Sequence, residues 1–152
     1  MGKLFVILYN VSSVHKVIEF VKTAYAFDDN VIPVIVKPIG AAAQIGVPEV
    51  NKLSYKLNKP LIVLPELKDI IDVLGIKDNY MVTSRGNEML IDEIFNTNGD
   101  VAITINGGDT DFTKQELEYG KATTFKEIPL GLPSTALLAI ILYRLKIIKE
   151  QR

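Results

Sequence analysis

The sequence predicts an α/β domain built on a mainly parallel sheet of about six strands, with helices on both faces. Three observations carry this. Short apolar runs recur along the chain. Each is followed by an amphipathic or capped helical stretch. Most of the runs are uniformly apolar rather than alternating, as in strands buried on both faces.

The elements follow in order. Leu4–Asn10 (LFVILYN) is the first strand. Ser12 or Ser13 can cap the next helix, whose apolar positions Val14, Val17, Ile18, Val21 and Tyr25 share one face. Val31–Lys37 is a second strand, and Pro33 suggests that it ends or edges the sheet. A loop, PIGAAAQIGVP, leads to a helix from Pro48 to about Leu57. Leu61–Pro65 is a third strand. A short helix Glu66–Leu74 stops at Gly75. NYMVTS (Asn79–Ser84) is a fourth strand and MLIDEIF (Met89–Phe95) a short helix. Val101–Ile105 is a fifth strand, broken by INGGD. TKQELEYG (Thr113–Gly120) reads as a helix, Thr123–Ile128 as a sixth strand, and IPLGLPSTALLAIILYRL (Ile128–Leu145) as a stiff loop running into a long apolar helix.

The chain has 152 residues, enough for one ordinary domain, and one domain spanning 1–152 is expected. Hydrophobic residues make up 48% and charged residues 23%, the balance of a packed globular chain. With 17 basic and 18 acidic residues the net charge is −1, so bulk charge does not suit it to coating nucleic acid, although a local basic patch is possible. There is no cysteine, which excludes disulfides, thiolate metal sites and a cysteine nucleophile. No metal-ligand set is read. The first ten residues read as a strand rather than a signal peptide, and the run ALLAIILY is too short to span a membrane. The expected location is the cytoplasm.

In open parallel sheets ligands bind beyond the carboxyl ends of the strands. Four loops stand out there: NVSSV, KPIGAAAQIGVP, INGGD and IPLGLPST. The glycines of INGGD let backbone approach a ligand, or make a plain turn. In IPLGLPST two prolines fix the path, Gly131 can take positive φ, and Ser134 or Thr135 can cap a helix start able to bind a polar or anionic group. GAAAQIG lacks the lysine and hydroxyl that end a P-loop. PELK (Pro65–Lys68) has the Glu-x-Lys spacing of a metal-dependent nuclease, Glu66 and Lys68, with no evident partner aspartate on a preceding strand. His15, the lone histidine, suits a surface or cap position. Lysines 16, 22, 37, 52, 56 and 59 can line one patch or be solvated helix faces.

VAITINGGDTDFTKQELE and IPLGLPSTALLAIILYRL together resemble the ending of the SPOUT (SpoU-like, trefoil-knotted) S-adenosylmethionine-dependent RNA methyltransferases, over about Asn79 to Leu145. The segment Lys37–Glu49 is similar to small archaeal SPOUT-like proteins. Asp109 stands where the family has glutamate, Leu132-Pro133 where Leu-Asn is usual, and the family's arginine has only Lys22 nearby.

The resemblance implies a C-terminal trefoil knot, a homodimer through the last helix, and S-adenosylmethionine held by Thr83, Ser84, Ile105, Asn106, Gly107, Gly108, Ile128, Pro129, Leu130, Gly131, Leu132, Ser134 and Thr135. It implies an RNA methyltransferase acting on tRNA or rRNA, with Lys22 as the candidate catalytic residue and RNA touching Asn10, Ser13, Lys16, Lys37 and Gln44. Gly107→Val is expected to block the pocket and leave the fold intact. A non-catalytic RNA- or nucleotide-binding protein of the same fold is the alternative. A metal-dependent nuclease on Glu66 and Lys68 is the third reading.

Overall fold

The structure is a computed structural model, and residues 1–151 are described. Six strands form one sheet in the order β3-β2-β1-β5-β4-β6, and every neighbouring pair is parallel. The strands are β1 (Leu4–Tyr9), β2 (Val31–Val36), β3 (Ile62–Leu64), β4 (Asp78–Met89), β5 (Val101–Asn106) and β6 (Lys121–Phe125). The helices are α1 (Val14–Ala26), α2 (Val47–Leu57), α3 (Asp69–Asp72) and α4 (Ser134–Gln151).

The uniformly apolar runs lie in the middle of the sheet because both of their faces are covered. In β1, Leu4, Val6 and Leu8 pack with Val17, Phe20 and Val21 of α1 and with Leu138, Ile141 and Leu142 of α4. Phe5, Ile7 and Tyr9 point the other way, toward Leu67, Ile70 and Phe112. Each such side chain contributes roughly 1.5–3 kcal/mol on burial. One polar pair sits inside: Thr104 Oγ1 donates to Asn79 Oδ1 at 2.6 Å, and the Asn79 amide donates to the Tyr119 carbonyl at 3.2 Å.

Several expected boundaries move. Pro33 lies inside β2, which is an interior strand. The amide of Lys37 bonds the Leu64 carbonyl of β3, so alternation points the Pro33 nitrogen to the same side. Pairing with β3 begins only at Val34, so the missing donor breaks no ladder bond. The Ala-rich loop is helical: Ala42–Gly46 is a π-helical turn that runs directly into α2. Its Ala42 amide bonds Ser12 O, which ties the loop after β2 to the loop after β1.

The expected helix Glu66–Leu74 contracts to α3, closed by Gly75 at φ 68°. Ile91–Asn96 and Glu116–Tyr119 are 3₁₀ turns, not α-helices. The third strand shortens to Ile62–Leu64 and the sixth shifts to Lys121–Phe125. Strand β4 extends to 12 residues because it pairs with β6 twice, across a break between Val82 and Asn87. Among the described residues no helix is long and apolar enough to cross a membrane.

Candidate functional site

The carboxyl ends of β4, β5 and β6 open into a cavity of about 310 Å³. Thr83, Ser84, Ile105, Asn106, Gly108, Ile128, Pro129, Leu130, Gly131, Leu132 and Ser134 all line it. Three separate loops therefore meet at one place. A larger cavity of about 520 Å³ lies at the amino end of the sheet, between Leu4, Phe27, Val31, Phe95 and Leu142. It has no glycine loop and a mainly apolar wall, so the carboxyl-edge pocket is the better candidate.

Two of the expected lining residues lie elsewhere. Thr135 is outside the pocket wall. Gly107 is buried against the core: a Cβ there would stand 2.9 Å from Val11 Cβ and 3.0 Å from Leu8 Cδ1. Gly107→Val would therefore disturb packing and not simply fill the pocket, contrary to expectation. Gly108 is the glycine that faces the pocket; its added Cβ would meet only the side chains of Asn10 and Asn106, at 3.1 and 3.3 Å, and then Asn10 O.

Aspartates shape the polar wall. Thr83 Oγ1 and Ser84 Oγ donate to Asp111 Oδ2 at 2.8 and 3.2 Å, and the Phe112 amide donates to Oδ1 at 2.8 Å. Arg85 Nε lies 3.7 Å away, and its terminal nitrogen donates to Phe112 O at 2.5 Å. Burial opposes ionisation of Asp111, but these hydrogen bonds and the Arg85 charge outweigh it and hold the carboxyl below the ordinary aspartate range. The sequence reading missed this knot of contacts. The available signal was an acidic pair, Asp109 and Asp111, placed just after a strand.

The Ser134 hydroxyl is buried at the start of α4 and has no hydrogen-bond partner. Gly131 takes φ 84°, the left-handed turn expected of it.

The early loops meet on the same edge. Asn10 and Lys37, the residues that follow β1 and β2, both take positive φ, at 60° and 52°. Lys16 Nζ donates to Gly107 O at 3.4 Å. Ser13 caps α1 by accepting from the Lys16 amide, so its hydroxyl is already engaged. Gln44 is exposed on the π-helical turn.

Tyr9 bonds Glu116 beneath Lys37. Burial is the first cause raising the Tyr9 hydroxyl, and Glu116 adds to it. Burial also opposes ionisation of Glu116, but the Thr113 amide, Tyr9 and Lys37 prevail and lower it.

Lys22 does not belong to this edge. It sits more than two turns into α1, about 12 Å along the helix from Val14, in a groove with Ile18, Val50 and Leu53. His15 is exposed.

Glu66 and Lys68 follow β3 on the carboxyl edge, 3.4 Å apart and both more than half exposed. Asp69 Oδ2 accepts from the Glu66 amide at 3.0 Å. Among the described residues no group of three or more His, Asp and Glu is disposed to hold a metal ion. Glu66 with Asp69 therefore does not make a fitted metal centre.

The fold and this edge define an α/β enzyme architecture with its ligand site beyond the strand ends. A family model described as RecB-family nuclease (DUF2122) matches residues 40–144. A candidate type II restriction enzyme of Methanocaldococcus jannaschii is 38% identical over 148 residues, covering 95% of this chain and 97% of that protein. Another, of Aeropyrum pernix, is 32% identical over 139 residues, covering 90% and 88%. The chain belongs to this nuclease-described family.

Solved structures give the fold. One, on the 2-OH methylation of C/U34 on tRNA, has a TM-score of 0.76 at 13% identity and covers 99% of both chains. The SpoU methyltransferase AviRb from Streptomyces viridochromogenes, in complex with AdoMet, has a TM-score of 0.71 at 12% identity, over 96% of this chain and 61% of that one. At such identities the likeness is one of fold alone. The SPOUT fold expectation therefore holds, and the RNA-methyltransferase expectation is overturned by the family and its full-length relatives.

Proposed function

We propose that this chain is a nuclease that lays its nucleic-acid substrate along the carboxyl edge of the sheet. The observation that carries the reading is the near full-length 38% identity to a candidate restriction enzyme. The edge supports it: Lys16, Lys37, Lys68 and Arg85 follow different elements and face phosphate-sized loops. These cations must supply the attraction, because the net charge is only −1.

Hydrolysis requires water to attack phosphorus while the P–O ester bond breaks. In this reading Glu66 takes the water's proton and Lys68 holds a phosphate oxygen. Glu66 and the pocket are three strand spacings apart, about 14 Å. That span matches roughly four stacked nucleotides, so one nucleotide can occupy the pocket while another lies at Glu66.

A second reading concerns the pocket's ligand. Its wall joins apolar Ile105, Ile128 and Leu132 to polar Asn106 and Asp109. S-adenosylmethionine, which AviRb holds, needs both: an apolar slot for adenine and acceptors for ribose hydroxyls. It would bring an activated methyl group, which hydrolysis does not use. The same reading takes the chain as a homodimer, because Ala136, Ile140, Tyr143 and Ile147 form an unfilled stripe on α4.

The test is cleavage of plasmid DNA and of single-stranded RNA with magnesium or manganese. Cleavage is expected, with Glu66→Gln slower by about 10²–10⁴-fold, the usual contribution of a positioned acid or base. No cleavage of either substrate would sink the nuclease reading. Full activity in Glu66→Gln would move the chemistry elsewhere on the edge.

A further inference from the structure

Helix α4 begins inside the pocket and has no side-chain cap. Pro133 precedes it and carries no group able to accept from the first-turn amides. The first intrahelical bond runs from the Leu137 amide to Pro133 O at 2.9 Å, which leaves the amides of Ser134, Thr135 and Ala136 without helical partners. No acidic side chain sits in that first turn. At 18 residues the helix is long enough for its dipole to place appreciable positive charge at this end.

Ser134 is a second, independent observation. The residue is only 7% exposed, its hydroxyl lines the pocket, and that hydroxyl has no partner. A buried hydroxyl left unpaired costs free energy comparable to a lost hydrogen bond. Across the native protein such groups are paired, so an orphan that faces a cavity marks where a ligand atom belongs.

The other polar groups of the pocket fix the sign of that atom. Asp111 is committed to Thr83, Ser84, Arg85 and the Phe112 amide, so its charge is compensated and turned away from α4. Asp109 is exposed and has no hydrogen-bond partner among the described residues, so it is the acceptor free to take ligand hydroxyls. Between the two ends lies the apolar wall of Ile105, Ile128 and Leu132. The pocket thus has a hydroxyl-accepting end, an apolar middle and an amide-and-hydroxyl donor end.

We infer that the start of α4, through Ser134 Oγ and the first-turn amides, binds an oxyanion attached to a nucleoside. The apolar wall takes the base, and Asp109 takes the ribose hydroxyls. This deepens the ligand assignment above and rests on it, but it does not require cleavage. The oxyanion has two possible sources, a nucleotide phosphate or the carboxylate of an amino-acid-bearing nucleoside.

Calorimetry on the full chain compares two pairs: AMP with adenosine, and S-adenosylhomocysteine with 5′-methylthioadenosine. In at least one pair the oxyanion form is expected to bind about tenfold or more tightly, the usual gain of charge-assisted hydrogen bonds. An advantage in the first pair assigns phosphate; in the second, carboxylate. Ser134→Ala should cut that advantage by about three- to tenfold and leave the bare nucleoside's affinity unchanged. A melt matching the parent's confirms that the variant folds, and Ser134→Thr, which keeps the hydroxyl, should retain the advantage.

The proposal is overturned if none of the four compounds binds, if the anion confers no advantage in either pair, or if Ser134→Ala leaves the advantage intact. Cleavage is scored separately. Lost cleavage with ligand discrimination intact sinks the nuclease reading alone; cleavage without discrimination sinks this one alone.

Discussion

Adding one methyl group at position 107 should destabilise the protein, while the same change at position 108 should not. In Gly107→Ala the new Cβ would stand 2.9 Å from Val11 Cβ, 3.0 Å from Leu8 Cδ1 and 3.1 Å from Tyr9 O. Ordinary carbon contacts lie near 3.5–4.0 Å, so the loop must open by roughly 0.5–1 Å. Nothing nearby yields easily. Val11 and Leu8 are fully buried, and Tyr9 O already accepts the Gly107 amide at 2.7 Å.

Overpacking of this kind costs about 1–3 kcal/mol. For a chain of this size each kcal/mol moves the melting temperature by about 2–4 °C. The expected drop is therefore about 2–12 °C by scanning calorimetry. Gly108→Ala meets mainly the ends of the Asn10 and Asn106 side chains, so its melting temperature should stay within about 2 °C of the parent's, since surface changes usually stay within about 0.5 kcal/mol. Equal melting temperatures for Gly107→Ala and the parent would refute the packing argument. So would a larger drop for Gly108→Ala.

Two further outcomes are expected. The folded-state carboxyl of Asp111 is held below the ordinary range, so its contribution to stability is present at neutral pH and is lost as pH falls below about 4. Asp111→Asn should flatten the acid limb of a denaturation-versus-pH curve, and an unchanged limb would show that Asp111 is not the group responsible. The α4 stripe of Ala136, Ile140, Tyr143 and Ile147 should pair with a second copy, so light scattering should give twice 16.9 kDa. Ile140→Asp should return the monomer, and a monomeric parent at micromolar concentration would end the dimer proposal.

The interior of the sheet was legible because β1 and β5 are continuous apolar runs, a pattern that only two covered faces explain. Other elements depend on partners distant in sequence. Strand β4 continues past Ser84 because β6 pairs with it twice, and no local propensity encodes that. The turn Ala42–Gly46 reads as a loop because prolines flank it and its alanines carry no period, yet the bond to Ser12 holds it helical.

The pocket loops could be found from glycine and proline content and the strand-end rule. Within INGGD, however, sequence cannot say which glycine faces inward; that depends on which one the turn presses against Val11 and Leu8. Lys22 failed for a simpler reason. Two helical turns carry it away from the edge where α1 begins.

The contrast between a neighbour of like fold at 13% identity and a relative of like sequence at 38% is physically coherent. A parallel sheet presents strand-end loops, uncapped amides and a few cations at one edge whatever reaction follows, so geometry at the level of fold predicts where a ligand sits and not what becomes of it. The resemblance in the last third of the sequence tracked this shared edge and carried a methyl-transfer expectation with it. What distinguishes chemistries is the identity of the groups placed at the edge. Here these are the exposed Glu66–Lys68 pair after β3, the compensated Asp111, the free Asp109 and the unpartnered Ser134 hydroxyl. The first concerns the fate of a phosphodiester; the other three concern the grip on one nucleotide. Glu66→Gln and Ser134→Ala therefore separate the two roles: the first should lower cleavage without changing ligand affinity, and the second should do the reverse in the calorimeter.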